Sequence, residues 1–494
     1  MKKNIINLRT FLHLGTIVLL FLGTFSCSDK LELTPYGEPV EQTFYKTEQD
    51  AIQAINAAYY PLRELGQGWR NDLVVGDVGT DDAIKGGVNV EDNGGLLEKE
   101  TYQLTSANAT LAMRWKANYQ GIYYANIVLE KIPGINMSEE LKKRILGEAH
   151  FLRAFYHFDL VKLYGGVPIG DRTLPIDGKF SRASREEVYA FVEKDFNSAM
   201  DLLPLKSKNT GVNVGRADKG AAIGMMVRVS AYQNKMEKVV QYANALFALG
   251  EYRLADDFGS IYQPTGEWGV GSIFEINYYP SNDPGWLQGQ GNLTATAAGP
   301  RTIGGWGFGQ FKQNLVDEFE EGDPRKEASI YLVGGQAYGT GIFNRKYSYT
   351  PYSKYDYAKV GSVPTNGPHN YRVLRLADVY LMYAEANYAL GNESVAREYV
   401  NKVRTRARGN QPASVLPDIK STVTGQALLD AIYHERRVEL AGEGLRYWDL
   451  IRTGRAEKIL GPLGFKKGVN EVLPLPISDI ILSDGALVQN NGYN

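Results

Sequence analysis

Apolar positions return at helical spacing over most of this chain, and two long stretches break the pattern. From Glu48 to Leu65, Ile52, Ile55, Ala58 and Tyr59 share one side of an expected helix. Ala107 to Lys131 repeats the pattern with Trp115, Tyr119, Ile122 and Asn126. Ser138 to Gly165 does so with Glu148, Phe151, Phe155 and Phe158, and Ser138 is its expected N-cap. Ser184-Arg185-Glu186-Glu187 forms a capping box that opens a helix to Leu203, where Pro204 stops it. Lys219 to Gln233, rich in alanine, glycine and methionine, suits tight helix contact, with Lys235 to Leu249 as its antiparallel mate. Helix is expected again over Tyr371 to Leu390, Glu393 to Arg406 and Leu428 to Arg452.

The last of these, LLDAIYHERRVELAGEGLRYWDLIR, mixes charge with apolar periodicity more densely than any other stretch. Leu428, Ala431, Val438, Gly442 and Leu445 return to one face, and Glu435 lies on the same stripe, which implies a partner for it. Glu439 stands three residues beyond Arg436, Glu443 three before Arg446, and Asp449 three before Arg452, all within pairing reach along a helix. Gly442 and Gly444 predict a stop and a restart at Leu445. An arginine beside each acid favours permanently ionised carboxylates, and so an ionic lock between helices over a catalytic pair.

Periodicity is lost from Gly66 to Glu100 and from Gly250 to Tyr371, apart from Ser272 to Tyr278, which alternates like a short strand. Long irregular segments inside a compact protein are usually functional. Aligned on a tetratricopeptide template with its turn at Gly391, Val373 to Arg406 places Tyr380 and Ala384 at the large and small packing positions of the first helix. Ala396, Val400 and Val403 fall on the second, while Asn387 stands where the template wants an aromatic. The expected fold is mainly α: an irregular α-solenoid of tetratricopeptide-like helix pairs with long ligand-binding loops on one face. The pairs, at about 48–250 and 371–460, belong to one domain spanning 27–494 and flank a loop-rich insertion at about 251–370.

A length of 494 residues with a net charge of −2 and evenly spread lysine and arginine gives no basic stripe, which argues against nucleic acid as a partner. Lys2, Lys3 and Arg9 precede an apolar run from about Phe11 to Phe25, too short to span a bilayer and typical of a secretory signal over residues 1–26. The sole cysteine, Cys27, falls where that signal ends, and an unpaired secreted thiol is a liability that lipidation removes. Several acyl chains at about 0.8 kcal/mol per buried CH₂ make a stable anchor.

Three long motifs resemble the SusD/RagB family: Asn370 to Ala386 (NYRVLRLADVYLMYAEA), Glu148 to Pro168 (EAHFLRAFYHFDLVKLYGGVP) and the charged stretch ERRVELAGEGLRYWDLIR. The tail LPLPISDIILSDGALVQNNGY and the lipoprotein start agree, so the resemblance covers nearly the whole mature chain. It implies a surface-exposed, lipid-anchored outer-membrane protein that captures a nutrient, typically a glycan, for a SusC-like TonB-dependent transporter. It implies a helical solenoid with tetratricopeptide units, and it carries over no catalytic residue and no cofactor.

From the residues themselves, Trp115 and Trp448 lie in helical periods and belong to the core, whereas Trp69, Trp268, Trp286 and Trp306 lie in glycine-rich loops. A sugar presents flat C–H faces that stack on such rings and hydroxyls that need polar partners. Arg70, Asp72, Gln288, Asn292 and Arg301 stand near the tryptophans and could supply these. The expected ligand set is Trp69, Arg70, Asp72, Trp286, Asn292, Arg301 and Trp306, with Trp268 weighted lower as packing beside the Phe274 strand. Three rings at roughly 2.5 kcal/mol each give about 7 kcal/mol, and association costs at least about 4, so binding is micromolar at best.

Rival readings are a glycoside hydrolase using aspartates between 72 and 82, and a peptide binder using the tyrosine-rich loops. Asp77, Asp81 and Asp82 could also be calcium ligands or turn residues, the last being commonest beside glycine and threonine. His13, His150, His157, His369 and His434 show no zinc spacing, and Gly285 to Gly291 lacks the lysine of a phosphate loop, so no metal and no nucleotide cofactor is expected.

Overall fold

Helices stack in chain order. In the computed structural model, which describes residues 44–65, 72–173, 181–279, 291–333, 338–347, 367 and 369–493, every described helix and strand lies in one compact unit, Thr47–Asn494. The principal helices are α1 (Glu48–Tyr59), α2 (Asp72–Asp77), α3 (Gly94–Glu100), α4 (Ala109–Lys131), α5 (Glu139–Tyr164), α6 (Arg185–Leu202), α7 (Lys219–Tyr232) and α8 (Met236–Ala248). After the insertion come α9 (Leu376–Ala389), α10 (Glu393–Arg408), α11 (Gly425–Glu439) and α12 (Arg446–Arg452). α1 packs on α4, α4 on α5, α5 on α6, α6 on α7, and α7 on α8; α8 then packs directly on α9, α9 on α10, and both on α11. The solenoid thus continues across the insertion, as stacked helix pairs must if each is to bury its apolar face.

Local sequence sets the helix ends. Thr47 and Asp50 form a capping box at α1, and the expected single helix to Leu65 divides at Pro61, leaving a separate turn at Leu62–Leu65. Asn108 and Ser138 cap α4 and α5, and Ser184 with Glu187 closes the capping box of α6. In the α9–α10–α11 layer, Ala377, Leu381, Ala384, Ala396, Val400, Val403, Leu428 and Ile432 form one core. Tyr380 packs against its edge, so the small residues of the repeat template meet at the contact.

Among the described residues, three two-stranded antiparallel sheets hold the insertion: β1 (Ala83–Gly86) with β3 (Phe308–Phe311), β2 (Ser272–Ile276) with β6 (Tyr371–Arg375), and β4 (Ile330–Leu332) with β5 (Ile342–Asn344). Two expectations change here. Tyr371 to Arg375 is strand, and helix begins only at Leu376, because β2 supplies a partner for this backbone from about 100 residues earlier. The segment from 72 to 100 holds α2, β1 and α3, elements of seven residues or fewer that are too short to display a period. β2 also seals the solenoid, since the Phe274 ring meets Phe151 of α5 at a centroid distance of 4.8 Å.

The charged stretch is an ionic lock, but its partners come mostly from elsewhere. Arg436 pairs with Asp449 (3.0 Å) and Asp378 (2.7 Å) in place of Glu439. Glu439 meets Arg325, Arg375 and Arg406 at 3.2, 3.0 and 2.5 Å. Glu443 takes Arg375 and Lys346, both at 2.7 Å, and leaves Arg446 to Asp81; of the expected helical pairs, Asp449–Arg452 forms, at 2.8 Å. Glu435 is wholly buried between Arg325 (2.5 Å) and Arg404 (3.0 Å). Burial alone would push the Glu439 carboxyl up, yet the surrounding guanidiniums outweigh it and hold the group at about 2. Gly442 and Gly444 adopt φ of +71° and +76°, and the chain turns there between α11 and α12 as expected.

Candidate functional site

Trp306 stands just before β3, at the end of a tightly closed loop. A short helix, Thr294–Ala298, leads into Gly299 and Pro300, and the backbone returns through Gly305 N to Pro300 O (3.0 Å), Trp306 N to Thr296 O (2.8 Å) and Gly307 N to Gly299 O (2.9 Å). A Cβ on Gly305 would lie 2.1 Å from the Gly299 carbonyl oxygen, so this closure requires glycine. The inner side of the indole rests on Val78, Leu96 and Phe308. Its outer side borders an open cleft of about 580 Å³, shared with Arg301, Asp92, Asn93 and Met113.

The opposite rim is fixed by a buried lysine. Lys85, fully enclosed, donates from Nζ to the carbonyls of Gly86, Asn89 and Asp92 at 2.9, 2.8 and 2.7 Å, which draws residues 86–92 into a knot. Burial lowers its pKa, against the pull of Asp92 and Glu100. Asp92 Oδ2 accepts from Val88 N at 2.8 Å and from Arg301 Nη2 at 2.9 Å, and that ion pair stays partly open to solvent. The result is a flat indole beside a rigidly held, accessible pair of opposite charges, which can stack on a ring and hydrogen-bond its hydroxyls. Asp92 and Lys85 escaped the sequence reading; an acid inside the glycine-rich run GGVNVEDNGG was the available signal.

Among the other expected ligand residues, Trp69, Arg70, Trp286 and Gln288 lie outside the described residues, as do Cys27 and the Asp72 side chain; the Asp72 backbone opens α2. Asn292 is corrected: it is 2% exposed and serves as a staple. Its backbone bridges Gly367, its Nδ2 donates to the His369 carbonyl at 2.7 Å, and its Oδ1 accepts from Thr294 N at 2.6 Å, so no part of the amide faces a ligand. The described structure therefore brings together Arg301 and Trp306 from the expected set, with Asp92 added. Trp115 and Trp448 are buried, and Trp268 is 38% exposed with its indole N–H donating to Asn277 at 2.8 Å.

The acids weighed for hydrolysis are committed elsewhere. Asp77 accepts from Gly444 N at 2.9 Å and Arg446 N at 3.3 Å, which caps α12 from a distant part of the chain. Burial pushes its carboxyl well up, Asp82 adds to this, and the two N–H donors pull the other way. Asp81 binds Arg446 through both oxygens at 2.9 and 2.6 Å, and Asp82 binds Arg437 at 2.8 and 2.6 Å. His150 pairs with Asp195, His157 Nε2 accepts from Gly170 N, and His434 contacts Glu318 and Glu320. Among the described residues no group of three or more His, Cys, Asp or Glu is placed to hold a metal ion, and no helix is long and apolar enough to cross a membrane.

Comparison with known proteins agrees with this picture. The profile of the SusD family matches residues 325–493, and one described as starch-binding associating with outer membrane matches residues 31–230. A SusD-like protein P25 of Formosa agariphila is 27% identical, over 96% of this chain and 98% of the relative. Among solved structures, a laminarin binding SusD-like protein is 30% identical with a TM-score of 0.80, covering 91% of this chain and 100% of the other. Surface glycan-binding protein A from Bacteroides fluxus is 27% identical at a TM-score of 0.77, with 91% and 100% covered.

Proposed function

The chain belongs to the SusD family, and on that premise we propose that it is a non-catalytic protein that captures oligosaccharides at the outer-membrane surface. One observation carries the reading: an indole held half-open by an obligatory glycine closure, beside the accessible Arg301–Asp92 pair. That is a surface for a polyol with flat faces, and it matches the ligand class named for two similar structures. Arg446 and Arg437 bind Asp81 and Asp82, and the buried Asp77 accepts from two backbone amides, so these three acids serve the frame, which favours binding over the hydrolase alternative. The proposal extends to an anchor at Cys27 and delivery to a SusC-like TonB-dependent transporter, supported by the family description that places such chains at the outer membrane.

The test is a glycan array probed beside a peptide library, followed by calorimetry on the captured class. Glycans are expected to be retained, with micromolar or weaker affinity, and Trp306→Ala to weaken binding by at least about tenfold while the chain stays folded. Retention of peptides alone would move the chain to the peptide-binding alternative.

A further inference from the structure

A second aromatic cleft lies around Trp268, with no lining residue in common with the Trp306 groove. Trp268 has a φ of +51°, a backbone region that a bulky L-residue adopts only under constraint. The constraint is visible. Its amide N–H donates to Glu275 at 2.9 Å and its indole N–H to Asn277 at 2.8 Å, while Asn277 Nδ2 donates to the Gly215 carbonyl at 3.2 Å. Gly215, at φ +83°, sits so close that a Cβ there would lie 2.4 Å from both the indole nitrogen and the Asn277 amide. Strain, a glycine and a three-residue bonding chain thus hold a large apolar ring with 38% of its surface open to solvent.

The ring divides two hollows, one of about 640 Å³ and one of about 390 Å³. In the larger, Tyr60 and Tyr279 present further rings that are 49% and 73% exposed. The charged groups there are already matched: Arg63 by Glu64 at 3.4 Å, Arg216 by Glu148 at 2.8 Å, and Glu275 by Arg372 at 3.8 Å, with Asn370 also donating to it at 3.0 Å. Flat rings over internally balanced charge favour a neutral ligand with apolar faces and many hydroxyls, over an acidic or basic one.

We propose that the Trp268 cleft is a second binding surface for a neutral oligosaccharide, independent of the Trp306 groove. The proposal rests on the reading of the chain as a glycan binder, and its test separates the two. Laminarihexaose, maltohexaose, cellohexaose and xylohexaose are titrated calorimetrically into the full chain, into Trp306→Ala, and into Trp306→Ala combined with Tyr279→Ala or with Trp268→Ala. Tyr279 is exposed enough for its replacement to leave the melting temperature unchanged, which guards against a folding artefact in the Trp268 variant. Residual binding is expected in Trp306→Ala, falling by a further factor of about ten or more in both double variants. Residual binding that neither added substitution alters, or complete loss in Trp306→Ala alone, overturns the second cleft and leaves the glycan reading standing. Silence of the unmodified chain toward all four sugars overturns both.

Discussion

Glu435→Ala tests the division between frame and binding surface. The substitution removes a wholly buried carboxylate that meets Arg325 at 2.5 Å and Arg404 at 3.0 Å. Arg325 would keep Asp323 at 2.9 Å and Glu439 at 3.2 Å, and Arg404 would keep Glu320 at 2.6 Å. Removing one partner of a buried pair costs about 3–5 kcal/mol, and these remaining carboxylates favour the lower end, about 3 kcal/mol. An unfolding entropy of roughly 2.1 cal/mol/K per residue, over the roughly 450 residues of the compact unit, gives about 0.9 kcal/mol/K. The melting temperature should therefore fall by about 3 °C in a calorimetric scan, and Glu435→Gln, which retains acceptor and donor atoms, should fall less. Oligosaccharide affinity per folded molecule should stay unchanged. An unaltered melting temperature together with lost affinity would refute the lock and return this helix to the binding surface.

Two further outcomes follow from the same structure. The His434 imidazole lies 2.8 Å from Glu318 and 3.2 Å from Glu320; burial pulls its pKa down, but the two carboxylates outweigh this and raise it to about 9. A folded value above the unfolded one, about 6.5, means stabilisation that is complete below pH about 6.5 and lost as pH rises through 9. Thermal stability should decline across that window and His434→Gln should flatten the decline; an equal slope in the variant would count against it. Cys27→Ser should abolish incorporation of labelled palmitate and release the protein from the membrane fraction, and labelling that persists in the variant would exclude the anchor at that residue.

Helices that bury a periodic face were legible residue by residue: Phe151, Phe155 and Phe158 line α5 because contact with its neighbours repeats at the helical period. What failed locally has its cause far away. Tyr371 to Arg375 carries a pattern that continues smoothly into α9, and only the arrival of Ser272–Ile276 makes it a strand. Asn292 looked free because it neighbours glycines and a tryptophan in sequence, while its amide is taken by residue 369. The ionic lock was legible as a class but not as a set of pairs, since spacing along one helix says nothing of Arg325, Lys346 or Arg375. For the candidate site, composition pointed to Trp306 and Arg301, whereas Asp92 depends on a knot tied by Lys85 that has no periodic signature. Trp268 is weighted lower from the sequence as packing beside the Phe274 strand, and nothing in the sequence marks its positive φ.

The wiring of the lock also imposes an order in time. Asp82 is made 355 residues before the Arg437 that neutralises it, and Arg325 is made 110 residues before Glu435. Until α11 and α12 exist, Asp82 lacks Arg437, and Arg325 has Asp323 but neither Glu435 nor Glu439, so burying either charge is costly. Closing the interior around Asp82 and Arg325 is therefore favoured once α11 and α12 are present to complete these pairs.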